Sequence, residues 1–200
     1  MKIVCIGDSI TYGYSLNRKD TWTHLSQEKT GFIISNKGIN GDTIIGMLSR
    51  FERDVIKENP DIMFLMGGSN DILLSNSFEN IKSSLVSIIQ QSFSNGILPI
   101  IATPIPFYID DISDIYKDFI DFNYSISLLN NYKDWIIEYS NLFRIDVIDF
   151  FNIFRKHFLN NNLDYKEYYL DGLHLNKKGN ELFSEIFCDK IQKIIEKHRR

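Results

Sequence analysis

Short apolar runs that end in glycine-bearing turns alternate along this chain with segments of helical period, and that alternation leaves few folds open. Ile3, Val4, Cys5 and Ile6 run into Gly7, and Ile62, Met63, Phe64, Leu65 and Met66 run into Gly67 and Gly68. An apolar run of this length closed by glycine reads as a strand buried on both faces. Residues 32–36, 97–101 and 143–149 read as three further strands, with Pro99 placed near a strand start because it has no N–H for a ladder. Between them, apolar residues recur at helical spacing: Ile44, Leu48, Phe51 and Val55; Phe78, Ile81, Leu85 and Ile88; Phe119, Phe122, Ile126, Leu129 and Ile136. A short helix entered at Asp20 would share a face between Trp22 and Leu25, and a last helix carries Leu182, Phe183, Ile186, Phe187, Ile191 and Ile194. The order predicts an α/β fold: a parallel sheet of about five strands, helices on both faces, right-handed crossovers. With 200 residues, 44% of them apolar, and no linker or repeat, residues 1–200 are expected to form a single domain.

Charge narrows the partners. A formal net charge of −4 argues against a nucleic-acid binder, which would carry a basic stripe. The basic end at Lys197, His198, Arg199 and Arg200 reads as solvated charge that offsets a helix dipole. Cys5 and Cys188 sit among apolar residues and read as two buried free thiols, with no zinc spacing around them. The N-terminus opens on strand pattern, and no apolar run is long enough to span a bilayer. The expectation is no secretory signal, no membrane insertion and a cytoplasmic location.

Chemistry concentrates where strands end. Ser9 lies just past the first strand, in a turn between Gly7 and Gly13. Lys37 to Thr43 form a second glycine-bearing loop ending in a helix-capping residue, and Gly67 to Asp71 a third turn. In a parallel sheet all three fall on the carboxyl edge, where ligands bind. Asp171 and His174 are three residues apart ahead of the last helix, a spacing that puts both side chains on one side. A serine, a base and an orienting carboxylate are the minimum set for serine acyl transfer.

Gly7-Asp8-Ser9 with Thr11 and Gly13 resembles the first block of the GDSL-type SGNH hydrolases, with Ile10 where many members have leucine. Asn36, Gly38, Gly41 and Thr43 resemble the second block, Gly68-Ser69-Asn70-Asp71 the third, and Asp171-Gly172-Leu173-His174 the last. The blocks stand in the family's order. The resemblance implies a three-layer αβα, flavodoxin-like fold and an esterase-type hydrolase without a cofactor. It implies Ser9 as nucleophile, His174 as general base and then acid, and Asp171 as the residue that orients His174. It implies an oxyanion hole from the N–H groups of Ser9 and Gly41 and the side-chain amide of Asn70.

The resulting expectation is hydrolysis of small acyl or acetyl esters through an acyl-enzyme on Ser9. Carbohydrate O-deacetylation, and thioesterase or lysophospholipase activity, are alternatives within the same chemistry. A non-catalytic ligand-binding module of the same fold is the alternative outside it. A nucleotide-binding protein of this fold is disfavoured, because the first turn lacks the glycine fingerprint of a phosphate loop. Tyr12, Tyr14, Phe107, Tyr108, Tyr168 and Tyr169 are expected to wall the pocket. Asp8, Asp42 and Asp71 read as turn and loop hydrogen-bonders, with Asp71 bracing its own turn. His24, His157 and His198 lack a carboxylate at comparable spacing and read as structural or solvent-facing. Asp110, Asp111 and Asp114 read as a solvated acidic loop, since the glycine of a calcium loop is missing.

Overall fold

The computed structural model describes residues 1–112 and 120–199. Five parallel strands form one sheet in the order β2-β1-β3-β4-β5. They are β1 (Lys2–Gly7), β2 (Ile33–Gly38), β3 (Ile62–Met66), β4 (Leu98–Ala102) and β5 (Asp146–Ile148). The helices in chain order are α1 (Ser9–Tyr12), α2 (Trp22–Thr30), α3 (Ile44–Ser49), α4 (Phe51–Asp54), α5 (Ser69–Leu73) and α6 (Phe78–Ser94). Then come α7 (Phe122–Phe143), α8 (Phe150–Asn160) and α9 (Lys177–His198). Helices cover both sheet faces, so this is the three-layer fold expected.

Strand alternation divides the core in two. Val4, Ile6, Met63, Leu65 and Ile101 face α3, α6 and α7. Ile3, Cys5, Phe64, Met66 and Ile100 face the other way, against Trp22 of α2, Phe150 and Phe154 of α8, and Phe183 and Phe187 of α9. Phe150 and Phe183 stack with centroids 3.9 Å apart. Pro99 faces Met63 across β3, and β4 begins pairing with β5 only at Ile100. The missing N–H of Pro99 therefore falls outside the β4–β5 ladder.

Several expectations are corrected. Thr21, not Asp20, is the N-cap residue of α2; Asp20 pairs with Lys177 instead. The buried face of α2 is Trp22, Thr23 and Ser26, with Leu25 only partly covered, because Ser26 hydrogen-bonds Ser184 of α9. The expected strand over 143–149 begins only at Asp146: α7 runs through Phe143 and ends at Arg144 in a left-handed conformation. The helix pattern from Ile44 to Val55 is broken at Arg50 into α3 and α4. Cys5 is buried and Cys188 partly so, and both are free thiols. The basic end is not simply solvated, since Lys197 and His198 both engage Asp146 of β5. Phe119, Asp114 and Arg200 lie outside the described residues.

Candidate active site

β1, β2 and β3 end side by side, with Gly7 opposite Gly38 and opposite Met66. The three turns that follow therefore meet at one edge. Asp8 caps α1 by accepting the Ile10 N–H at 3.0 Å, which puts Ser9 at the first position of the helix. α1 is held from below: Trp22 Nε1–H donates to Ile10 O at 3.0 Å, and Asn36 Nδ2–H donates to Thr11 O at 2.6 Å. β2 must pass close beneath it, and a Cβ on Gly38 would lie 2.1 Å from the Tyr12 nitrogen, so only glycine fits there.

The loop between β2 and α3 and the turn between β3 and α5 are cross-linked. Thr43 caps α3, as its position suggested, by accepting from Gly46 N–H at 3.1 Å. Asn70 Nδ2 donates to Asp42 O at 2.9 Å, using one of its two N–H bonds. Asp71, fully buried, accepts the Ile44 N–H at 2.9 Å. It thus braces the start of α3 as well as its own turn, which corrects the local role expected for it. Burial pushes its carboxyl above the ordinary range, against that hydrogen bond.

Arg50, which the sequence reading passed over, joins these pieces. Its guanidinium donates to Gly7 O at 3.1 Å and Lys37 O at 2.8 Å, and pairs with Asp42 at 2.6 Å and Asp54 at 2.8 Å. The available signal was its register: Arg50 lies three residues after Met47 and four before Asp54, on the buried side of the helix pattern.

Asp171 and His174 sit in the loop before α9, and Asn176 caps that helix, so Asp171 is not its cap. His174 Nδ1 lies 2.8 Å from Asp171 Oδ2 and 3.1 Å from Oδ1. A carboxylate only accepts, so Nδ1 carries the proton and donates it. The bare Nε2 then accepts from Ser9 Oγ–H at 3.0 Å. Asp171 Oδ1 also accepts the backbone N–H groups of His174 at 2.8 Å and Leu173 at 3.1 Å. Burial pulls the Asp171 carboxyl up, but the hydrogen bonds from His174 and Leu173 outweigh it and hold it below the ordinary range. Asp8, 2% exposed, goes the other way: burial lifts it to about 6 despite its bond from Ile10 and the field of His174.

Ser9, Asn40, Gly41, Asn70 and His174 line one cavity of about 360 Å³. Its remaining wall is mostly apolar: Leu73, Leu74, Ile105, Phe107, Ile120 and Phe122. Of the expected wall residues only Tyr14 and Phe107 are there. Tyr108 lies instead in a larger cavity of about 520 Å³ with Arg155 and Tyr165, which is lined by none of Ser9, Asn70, Asp171 and His174. Tyr168 and Tyr169 are buried in the core, and Tyr12 points to solvent. His198 is half-exposed and pairs with Asp146 of β5, far from it in sequence, in keeping with a structural or solvent-facing role. Asp111 pairs with Lys166 at 3.0 Å. Among the described residues, no group of three or more metal-ligating side chains converges.

The family profile of the GDSL-like Lipase/Acylhydrolase family matches residues 5–182. The chain belongs to that family. It is 32% identical over 117 residues to the uncharacterized lipoprotein YqeF of Bacillus subtilis, covering 52% of this chain and 48% of that protein. It is 28% identical over 125 residues to an arylesterase of Vibrio mimicus, covering 58% of this chain and 62% of that one. The matched stretches thus span about half to three-fifths of these relatives. The acetyl xylan esterase AlAXEase superposes with a TM-score of 0.78 at 24% identity, over 94% of this chain and 98% of its own, which establishes the common fold. The family match takes in most of this GDSL chain. Among its described residues no helix is long and apolar enough to cross a membrane.

Proposed function

We propose that this chain is a serine ester hydrolase that cleaves small acyl or acetyl esters through an acyl-enzyme on Ser9. The observation that carries the reading is the relay from Ser9 Oγ to His174 Nε2 at 3.0 Å and from His174 Nδ1 to Asp171 Oδ2 at 2.8 Å. In this reading Ser9 Oγ attacks the ester carbonyl carbon while His174 Nε2 takes its proton. Asp171 holds the ring in the required tautomer and stabilises the cation. The N–H groups of Ser9 and Gly41 and the second N–H of Asn70 receive the oxygen that becomes negative. His174 returns the proton to the departing alcohol. Water then attacks the acyl-serine, His174 acting as base again, and the acid and free serine are released. The apolar wall of Leu73, Leu74, Ile105, Phe107, Ile120 and Phe122 suits the acyl group.

Residues 1–200 are taken as one domain carrying this activity. A fluorophosphonate probe should label Ser9, and Ser9→Ala should abolish labelling together with hydrolysis across p-nitrophenyl esters and acetylated sugars. Full hydrolysis by Ser9→Ala would overturn the reading, and an unlabelled wild type would favour a binding module. The cytoplasmic location belongs to the same proposal. A lipoprotein stands among the relatives, so cell fractionation is its test, and recovery with membranes would refute it.

A further inference from the structure

Tyr14 lies face-on to the imidazole of His174, with ring centroids 4.2 Å apart and planes inclined by 30°. The chain puts it there by a local device. α1 starts at Ser9 and ends at Gly13, whose left-handed φ of 82° turns the backbone back, and both Gly13 N–H and Tyr14 N–H donate to Ser9 O at 3.0 Å. A Cβ at Gly13 would lie 2.3 Å from the Thr21 side chain, so the turn needs glycine. The four-residue helix that presents the serine thus ends in the ring that covers the histidine. Tyr14 also lines the cavity, and 39% of its surface remains exposed.

We propose that Tyr14 is a positioning residue that holds the His174 ring on line with Ser9 and stabilises its cationic form. This rests on the proposed esterase reading. An aromatic face attracts a cation within about 6 Å of its centroid, and the proton that leaves Ser9 makes His174 such a cation in the transition state. The other charged groups facing the imidazole are Asp171 from its own loop and Asp8 from the turn between β1 and α1. Both are carboxylates, and Asp171 meets the ring at its edge, through Nδ1. Tyr14 is the group on its face.

The test compares Tyr14→Leu and Tyr14→Phe with wild type in p-nitrophenyl acetate hydrolysis and fluorophosphonate labelling from pH 5 to 9. Loss of the ring should lower kcat about threefold or more, leave KM within about twofold, and move the acid-side midpoint of both rates down by about half a pH unit. Tyr14→Phe should recover the midpoint and most of kcat, because the ring face and not the hydroxyl acts. An apolar wall without this role would change KM in Tyr14→Leu and leave the midpoint in place, which would overturn the proposal. So would a Phe variant as impaired as Leu. Should Ser9→Ala prove fully active, the esterase reading fails separately. The His174 ring-proton titration by NMR, in Ser9→Ala with and without Tyr14→Leu, then reads the stack directly, and coincident curves refute it.

Discussion

Replacing Asn70 by alanine separates its part in chemistry from its part in structure. In the folded chain Asn70 Nδ2 gives one N–H to Asp42 O at 2.9 Å. Losing that half-buried bond costs about 1 kcal/mol. For a chain of 200 residues that lowers the melting point by about 2–4 °C. The second N–H is the one assigned to the oxyanion, and loss of one such donor costs about 2.7–4 kcal/mol, or about 10²–10³ in kcat. That bond strengthens only as the carbonyl oxygen becomes negative, so KM should change little. Asn70→Asp should be worse, since its carboxylate would face both the Asp42 carbonyl and the forming oxyanion. Steady-state kinetics on p-nitrophenyl acetate, thermal melts and the rate of Ser9 labelling by a fluorophosphonate check this. The expected result is a folded Asn70→Ala that labels slowly and has lost most of its kcat. Wild-type kcat in that folded variant would remove Asn70 from the oxyanion hole. Activity and melting point falling in step would show that it only braces its turn.

Three further outcomes are expected. Asp8, lifted from 3.8 to about 6, keeps its proton in the folded chain where the unfolded chain has lost it, so its contribution to stability is present below about pH 4 and lost as pH rises to about 6. Asp8→Asn keeps an acceptor for Ile10 N–H and should melt higher than wild type at pH 8, by at most about 3 kcal/mol, with the gap closing at pH 4; an equal gap at both pH values refutes this. Asp71→Ala strands the buried Ile44 N–H and should destabilise the chain by about 1–3 kcal/mol in urea melts, more than Asp71→Asn does; equal loss in both would point to the charge instead of the hydrogen bond. A chain-length series of p-nitrophenyl esters should give its best kcat/KM below ten carbons, because the cavity holds only about 360 Å³; an optimum at ten or more would contradict it.

What the sequence made legible follows from how local each signal is. β3 was readable to the residue because five consecutive apolar side chains buried on both faces leave no periodic alternative. The Ser9 turn and the Asp171–His174 pair were readable because each is a contiguous block. β5 was misplaced because Phe143 looks like strand; it is the exposed last residue of α7, and the boundary is set by Arg144 adopting a left-handed conformation. Arg50 was missed because its partners Gly7, Lys37 and Asp42 come from other elements. The pocket wall was mostly wrong for the same reason. Tyr108, Tyr168 and Tyr169 have the right chemistry, but Tyr108 stacks on Tyr165 at 3.6 Å and the other two fill the core. The aliphatic wall of Leu73 and Leu74 comes from the end of α5, which only the fold brings to Ser9.

The two halves of the site are fixed by different means, and this bears on how the chain can vary. The half proposed to face the oxygen is tied through buried polar groups: Arg50 to Gly7 O and Asp42, Asn70 to Asp42 O, Asp71 to Ile44 N–H. In such a network each member satisfies another, so one substitution disturbs several turns together. The half that carries His174 is tied within its own loop, where Asp171 accepts from His174 and Leu173, and by a few contacts to other segments. Tyr108 N–H donates to Gly172 O at 2.8 Å, Leu170 N–H to His174 O at 2.7 Å, and the Tyr14 ring covers the imidazole. The Asp171 side chain there is 39% exposed. Changes on this side can therefore shift His174 and the cavity mouth while the polar network through Arg50, Asp42, Asn70 and Asp71 stays intact. Tyr14 joins the two halves beside the Ser9–His174 hydrogen bond itself, because its backbone N–H bonds the carbonyl of Ser9 and its ring lies on His174.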